Sequence, residues 1–161
     1  INAGLFGKFK YRLNAGKFLS AKQLYFIDYQ HVLGNQTIIH TGNDLTGFRL
    51  LPYYQYSSDN WFAEAHAEHH FNGFLTNQVP LFKRIGWYLV AGTNTFYVNT
   101  KSNYIEVFAG LENILKVLRV DVVLAYENGK HGRTAIRIGT GGLLGNSVEV
   151  NRRKGSASIN L

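Results

Sequence analysis

The chain has 161 residues and a net charge of +7, with 45% hydrophobic, 14% aromatic and 17% charged residues. The charged share lies below the roughly 25% typical of soluble domains, and many aromatics and glycines suit a sheet better than a helix. The absence of Cys excludes disulfide, zinc-thiolate and thiol chemistry, and no apolar run approaches the roughly 18 residues of a transmembrane helix, which leaves a closed barrel as the only spanning architecture.

Residues 1–13 alternate. Ile1, Ala3, Leu5, Gly7, Phe9, Tyr11 and Leu13 fall on one face; Asn2, Gly4, Phe6, Lys8, Lys10 and Arg12 fall on the other. Thirteen residues exceed the usual soluble strand of about 5–6 and suffice to cross a bilayer, which takes roughly 9–11. Residues 14–47 are irregular and punctuated by Gly16, Gly34, Asn35, Gly42 and Asn43, as in the long outer loop of a barrel. Residues 48–56 read as a second strand, with Pro52 marking its start or a bulge. Ser57, Ser58, Asp59 and Asn60 supply a turn.

Residues 61–71 alternate most clearly. Trp61, Ala63, Ala65, Ala67, His69 and Phe71 share one face; Phe62, Glu64, His66, Glu68 and His70 share the other. A connection over 72–86 holds Pro80, Lys83 and Arg84. Further strands are expected at 87–97, 104–112, 119–126, 133–140, 147–151 and 156–161, with a helical turn at 114–118. Turns are expected at Glu127-Asn128-Gly129 and at Arg152 to Gly155. Trp61, Phe71, Trp87 and Tyr97 fit aromatic anchors at the two membrane interfaces. The expected fold is all-β, an antiparallel transmembrane β-barrel, with residues 1–161 as the C-terminal part of one larger barrel domain. About nine strands fall in this chain, an odd number where single-chain barrels use even ones, so further strands are expected before residue 1. The missing initial Met fits a chain that starts inside a longer or processed product.

Four segments carry a resemblance: Leu51-Pro52-Tyr53-Tyr54-Gln55-Tyr56-Ser57-Ser58-Asp59, Glu64-Ala65-His66-Ala67-Glu68-His69-His70-Phe71-Asn72-Gly73-Phe74, Val79-Pro80-Leu81-Phe82-Lys83, and Gly110-Leu111-Glu112-Asn113-Ile114-Leu115-Lys116-Val117-Leu118-Arg119-Val120-Asp121. In this order they resemble the C-terminal barrel of a Bacteroidota outer-membrane family, whose members carry a carboxypeptidase-like regulatory domain and a domain of unknown function. More distantly, the Gly-Leu-Glu-Asn and Arg-Val-Asp strands are similar to the outer-membrane assembly factor and two-partner secretion superfamily. The Arg-Gly-Phe/Tyr loop motif of that superfamily has its nearest counterpart in Thr46-Gly47-Phe48-Arg49, which departs from it. The resemblance implies a Gram-negative outer-membrane location, with lipid bilayer and lipopolysaccharide around the barrel. It also implies insertion by the outer-membrane assembly machinery through the last strand, and association with other envelope proteins.

The residues that could carry chemistry are few. His66, Glu68 and His70 lie at i, i+2 spacing on one strand face, about 6–7 Å apart, which suits a metal half-site or a polar lumen ladder. Lys8, Lys10 and Arg12 read as lumen charges with Glu64, His66, Glu68 and His70, balanced by Glu64, Glu68, Glu106 and Asp121. Ser57 and Ser58 lack a nucleophile-elbow context. Gly139, Gly141, Gly142 and Gly145 lack the Lys-Ser/Thr and helix of a phosphate loop and read as a turn. No cofactor and no nucleic-acid partner is expected, because no recognition motif accompanies the positive charge. The expected role is transport, assembly or scaffolding in the cell envelope, without catalysis. The alternatives are a soluble antiparallel β-domain that binds ligand or glycan, and a metal-binding or hydrolytic membrane enzyme using the His66/His70 face.

Overall fold

The computed structural model describes residues 1–19, 25, 28–35, 37–40, 45–53, 56–98 and 102–140. Its main elements are β1 (Lys8–Lys17), β2 (Gln30–His31), β3 (Ile39–His40), β4 (Ser57–Ser58), β5 (Trp61–His70), α1 (Pro80–Ile85), β6 (Tyr88–Val98), β7 (Ser102–Ile114), β8 (Leu118–Glu127) and β9 (Lys130–Thr140). The chain is all-β apart from α1 and short helical turns. The strands expected at 147–151 and 156–161, the turn at 152–155, and Gly141, Gly142 and Gly145 lie outside the described residues.

The six long strands form one antiparallel sheet in the order β1-β5-β6-β7-β8-β9, and β3 adds to β9 in parallel through Ile39 and His40. Among the described residues the sheet does not close, and β1 lies at one edge. Arg119 of β8 and Glu68 of β5 sit three strands apart, about 14 Å on a flat sheet. Their side chains nevertheless meet at 2.9 Å, so the sheet curls with this face concave.

The first strand is shorter than its alternation suggests. Residues Gly4–Phe6 form a tight turn, Gly7 adopts φ 104°, and Asn2 pairs back onto Lys8. A Cβ at Gly7 would lie within bonding distance of the His70 carbonyl, so only glycine fits this close approach. The alternation of residues 1–7 therefore does not extend the strand, which begins at Lys8 and runs on to Lys17.

Residues 48–56 are not a sheet strand. Residues 48–53 and 56 belong to one arm of an irregular hairpin whose other arm is 30–35. The arms are joined by the β2–β4 pair and by the bonds Val32 N–H to Tyr56 O, Asn35 N–H to Leu51 O and Phe48 N–H to Leu33 O. This hairpin lies on the concave face, where Phe48, Leu51 and Val32 pack against Phe96, Val98, Tyr104 and Ala125.

The remaining turns follow local chemistry. Asn128 (φ 50°) and Gly129 (φ 77°) make the two-residue hairpin turn expected between β8 and β9. Asn113, Leu115 and Lys116 all take positive φ in the β7–β8 turn, where a helical turn was expected. α1 starts with Pro80 at its first turn and stops at Gly86, whose left-handed conformation lets its N–H reach the Phe82 carbonyl.

Candidate functional site

The register fixes two faces. Facing the hairpin are Lys8, Lys10, Arg12 and Asn14 of β1, Glu64, His66, Glu68 and His70 of β5, Asn94 and Phe96 of β6, Tyr104, Glu106 and Phe108 of β7, Arg119 and Asp121 of β8, and Arg137 of β9. The proposed lumen residues thus share one face: Lys8 is opposite His70, Lys10 opposite Glu68, and Arg12 opposite His66. Asn14 donates to Glu64 at 2.7 Å.

The centre of this face is a buried ionic cluster built around Arg49. Its guanidinium contacts Asp121 and, at 2.9 Å, Glu68, and its Cζ lies 3.6 Å from the Phe108 ring centroid. That geometry combines ion pairing with a cation–π contact in a buried site. Arg119 completes the arrangement by donating to both oxygens of Glu68 (3.1 and 2.9 Å) and to Asp121 at 2.9 Å. Glu68 and Glu106 are fully buried, and Arg49, Arg119, Asp121 and Arg137 nearly so.

Glu106 holds the hairpin by its backbone. Its carboxylate accepts the N–H groups of Arg49 (2.8 Å) and Leu50 (2.7 Å), the Asn94 amide (3.1 Å) and the Tyr104 hydroxyl (2.7 Å). Arg137 donates to the Arg49 carbonyl. Phe48 enters an aromatic pocket made by His66, Phe96 and Tyr104, with ring centroids 5.1–5.6 Å apart. Tyr56 packs at the rim against Phe96; burial and the nearby Glu127 carboxylate push its phenol above the ordinary value. Backbone, charge and ring contacts therefore all fix the same four residues, 48–51.

Glycine makes room for the cluster. A Cβ at Gly110 would fall 2.0 Å from Asp121 Oδ1 and 2.4 Å from the Val120 carbonyl. Any larger residue there would push aside the carboxylate that meets Arg49.

The candidate metal residues are engaged otherwise. His66 Nδ1 pairs with Asn94 Oδ1 at 3.0 Å, and the two His70 nitrogens face Glu68 (2.6 Å) and Glu112 (2.9 Å). Among the described residues, no group of three or more His, Asp or Glu side chains is disposed to hold a metal ion. Ser57 meets His31 at 2.7 Å because the two are register partners in the β2–β4 pair, and Ser58 donates to the Trp61 carbonyl. Gly139 sits within β9 opposite Arg119. The charge balance expected from Lys8, Lys10 and Arg12 needs correction: the partners of Glu68 and Asp121 are Arg49 and Arg119. No local spacing links Arg49 to its acids, which lie 19 and 72 residues away. A usable signal was a lone charge in the apolar run Phe48-Arg49-Leu50-Leu51, matched by charges on the inward positions of β7, β8 and β9.

The opposite face is inverted in character. Its positions are Phe9 to Ala15 in β1, Trp61 to His69 in β5, Leu89 to Tyr97 in β6, Asn103 to Leu111 in β7, Val120 to Tyr126 in β8 and Thr134 to Ile138 in β9, taken at every second residue. None of these is Asp, Glu, Lys or Arg, and Lys17, opposite Trp61, stands at one end of the face. Leu13 is 72% exposed, Ile136 61% and Val122 48%. Trp61 and Tyr97 stand at one end of this face, and Phe71 and Trp87 at the other.

No curated protein and no solved structure matches the chain. A family model matches residues 1–111, and the chain belongs to that family, the family of unknown function (DUF5686) C-terminal domain.

Proposed function

We propose that this chain forms part of the wall of an integral β-barrel in the outer membrane of a Gram-negative bacterium of the Bacteroidota. Its role is transport, assembly or scaffolding in the envelope, without catalysis. The observation that carries this reading is the inverted sheet, whose concave face is ionic and covered while its convex face is apolar and bare. A soluble sheet buries its apolar face and solvates the other; a membrane barrel does the reverse. Trp61 and Phe71 are ten residues apart, about 33 Å along a strand. With a strand tilt of about 40°, that spans roughly the 25 Å apolar band of outer-membrane barrels. The resemblance of the four sequence segments to an outer-membrane family is the second support for the reading.

On this reading the hairpin formed by 30–35 and 48–53 is an internal plug, and the Arg49 cluster fastens it to the wall. The buried acids serve as its counter-ions, which fits a structural role for them. The test is fractionation of the full-length parent with an alkaline carbonate wash. Retention in the outer-membrane pellet is expected; release into the soluble fraction would refute the reading.

A further inference from the structure

One end of the sheet is built differently from the other. At this end lie residues 1–8, the β5–β6 connection 71–87 and the β7–β8 turn 113–118. These segments contain no Asp or Glu, whereas Lys8, Lys83, Arg84 and Lys116 are all exposed. The far end mixes signs, with Asp59 and Glu127 beside Lys17 and Lys130. Interleaved with the cations is a bare apolar set: Leu5 is 87% exposed, Leu115 78%, Leu81 63%, and Val79, Ile85 and Leu75 at least 40%.

The set is held in place. Asn113 Nδ2 donates to the Gly86 carbonyl at 2.7 Å, which ties the end of α1 to the β7–β8 turn. Phe74 packs on Phe6 at 4.9 Å, and the Phe6 carbonyl lies 2.8 Å from His69 Nε2 on the convex face. Phe71 meets that same His69 ring at 4.4 Å. The apolar residues of this end therefore continue the convex face outward. Lys83 and Arg84 sit in the last turn of α1, where cations suit the helix dipole.

We propose that this end of the sheet, with α1 at its centre, docks into an anionic phospholipid headgroup layer. Leu81 and Ile85 enter the acyl boundary, while Lys83, Arg84 and Lys116 pair with lipid phosphates. An amphipathic surface with cations and no acids fits an anionic interface, because apolar insertion and charge attraction act together. This inference rests on the barrel reading and adds a lipid preference confined to one end.

The test uses the full-length parent reconstituted in vesicles, spin-labelled one site at a time at Leu81→Cys, Ile136→Cys and Asn128→Cys. Collisions with oxygen and with an aqueous nickel complex give the depth of each label. The vesicles are phosphatidylcholine alone, or phosphatidylcholine and phosphatidylglycerol in equal parts. The expected result has Ile136 in hydrocarbon and Asn128 in water in both, with Leu81 at interfacial depth in the mixed vesicles. Lys83→Gln with Arg84→Gln then weakens docking by about fivefold per charge removed. If Ile136 is deep while Leu81 meets nickel freely in mixed vesicles, the docking inference fails and the barrel stands. It fails equally if Leu81 is protected to the same degree in both lipids and ignores the double substitution. An Ile136 label in water would overturn the barrel reading and this inference together.

Discussion

On the concave face of β5, Glu68 is fully buried and touches Arg49, Arg119 and His70. On the convex face of the same strand, Ala65 and Ala67 meet only their apolar or hydroxyl neighbours Leu13, Tyr11, Thr95 and Thr93 in the register. One backbone serves two different environments. The concave side depends on particular partners, because a buried charge is tolerable only with its counter-charge and hydrogen bonds in place. The convex side depends on bulk transfer, where any apolar residue of similar shape will do.

Three substitutions probe that contrast, in decreasing order of effect. Glu68→Ala removes the carboxylate shared by Arg49, Arg119 and His70 and should destabilise the fold by about 3–5 kcal/mol, the usual cost of breaking a buried ion pair from one side. Urea unfolding of the refolded parent in vesicles would measure it, and a loss under about 1 kcal/mol would mean that the cluster is solvated. Ile136→Arg places a charge midway along the convex face. It should cost about 2–4 kcal/mol in a bilayer and close to nothing if that face meets water. The same unfolding assay separates the two outcomes. Val122→Leu, on the same face, should change stability by less than about 0.5 kcal/mol. A larger loss would reveal a specific packing partner on the convex side.

The contrast also explains what could be read from the sequence. The period-two pattern at Trp61–His70 identifies both faces of β5, because every residue there obeys the pleat. β6, β7 and β8 were legible to within a few residues for the same reason. Residues 48–56 misled because an apolar, aromatic run satisfies the strand pattern. What decides their state is where the backbone donors go. The N–H groups of Arg49 and Leu50 end on the Glu106 carboxylate, a side chain 56–57 residues away. Residues 1–7 misled for a smaller reason, since two positive-φ glycines, Gly4 and Gly7, reverse the chain without breaking the alternation of letters. The ionic cluster was half visible. Its members on the strands had the correct parity, but Arg49, which unites them, came from a segment whose pattern read as a strand of its own.

The order of the parts along the chain sets the order of their assembly. Residues 48–51 are synthesised before the polar groups of the sheet that hold them: Glu68, Asn94, Tyr104, Glu106, Arg119, Asp121 and Arg137 all follow. The strands β5 to β9 are joined by sequential hairpins of short contact distance, which form early because little chain entropy opposes them. The Arg49 guanidinium lacks its Asp121 partner until β8 has paired with β7, so its full seating is a late event. Seating of Arg49 thus reports that the strands from β5 to β8 have already paired in register, and a slipped strand anywhere among them would leave a guanidinium without its acids.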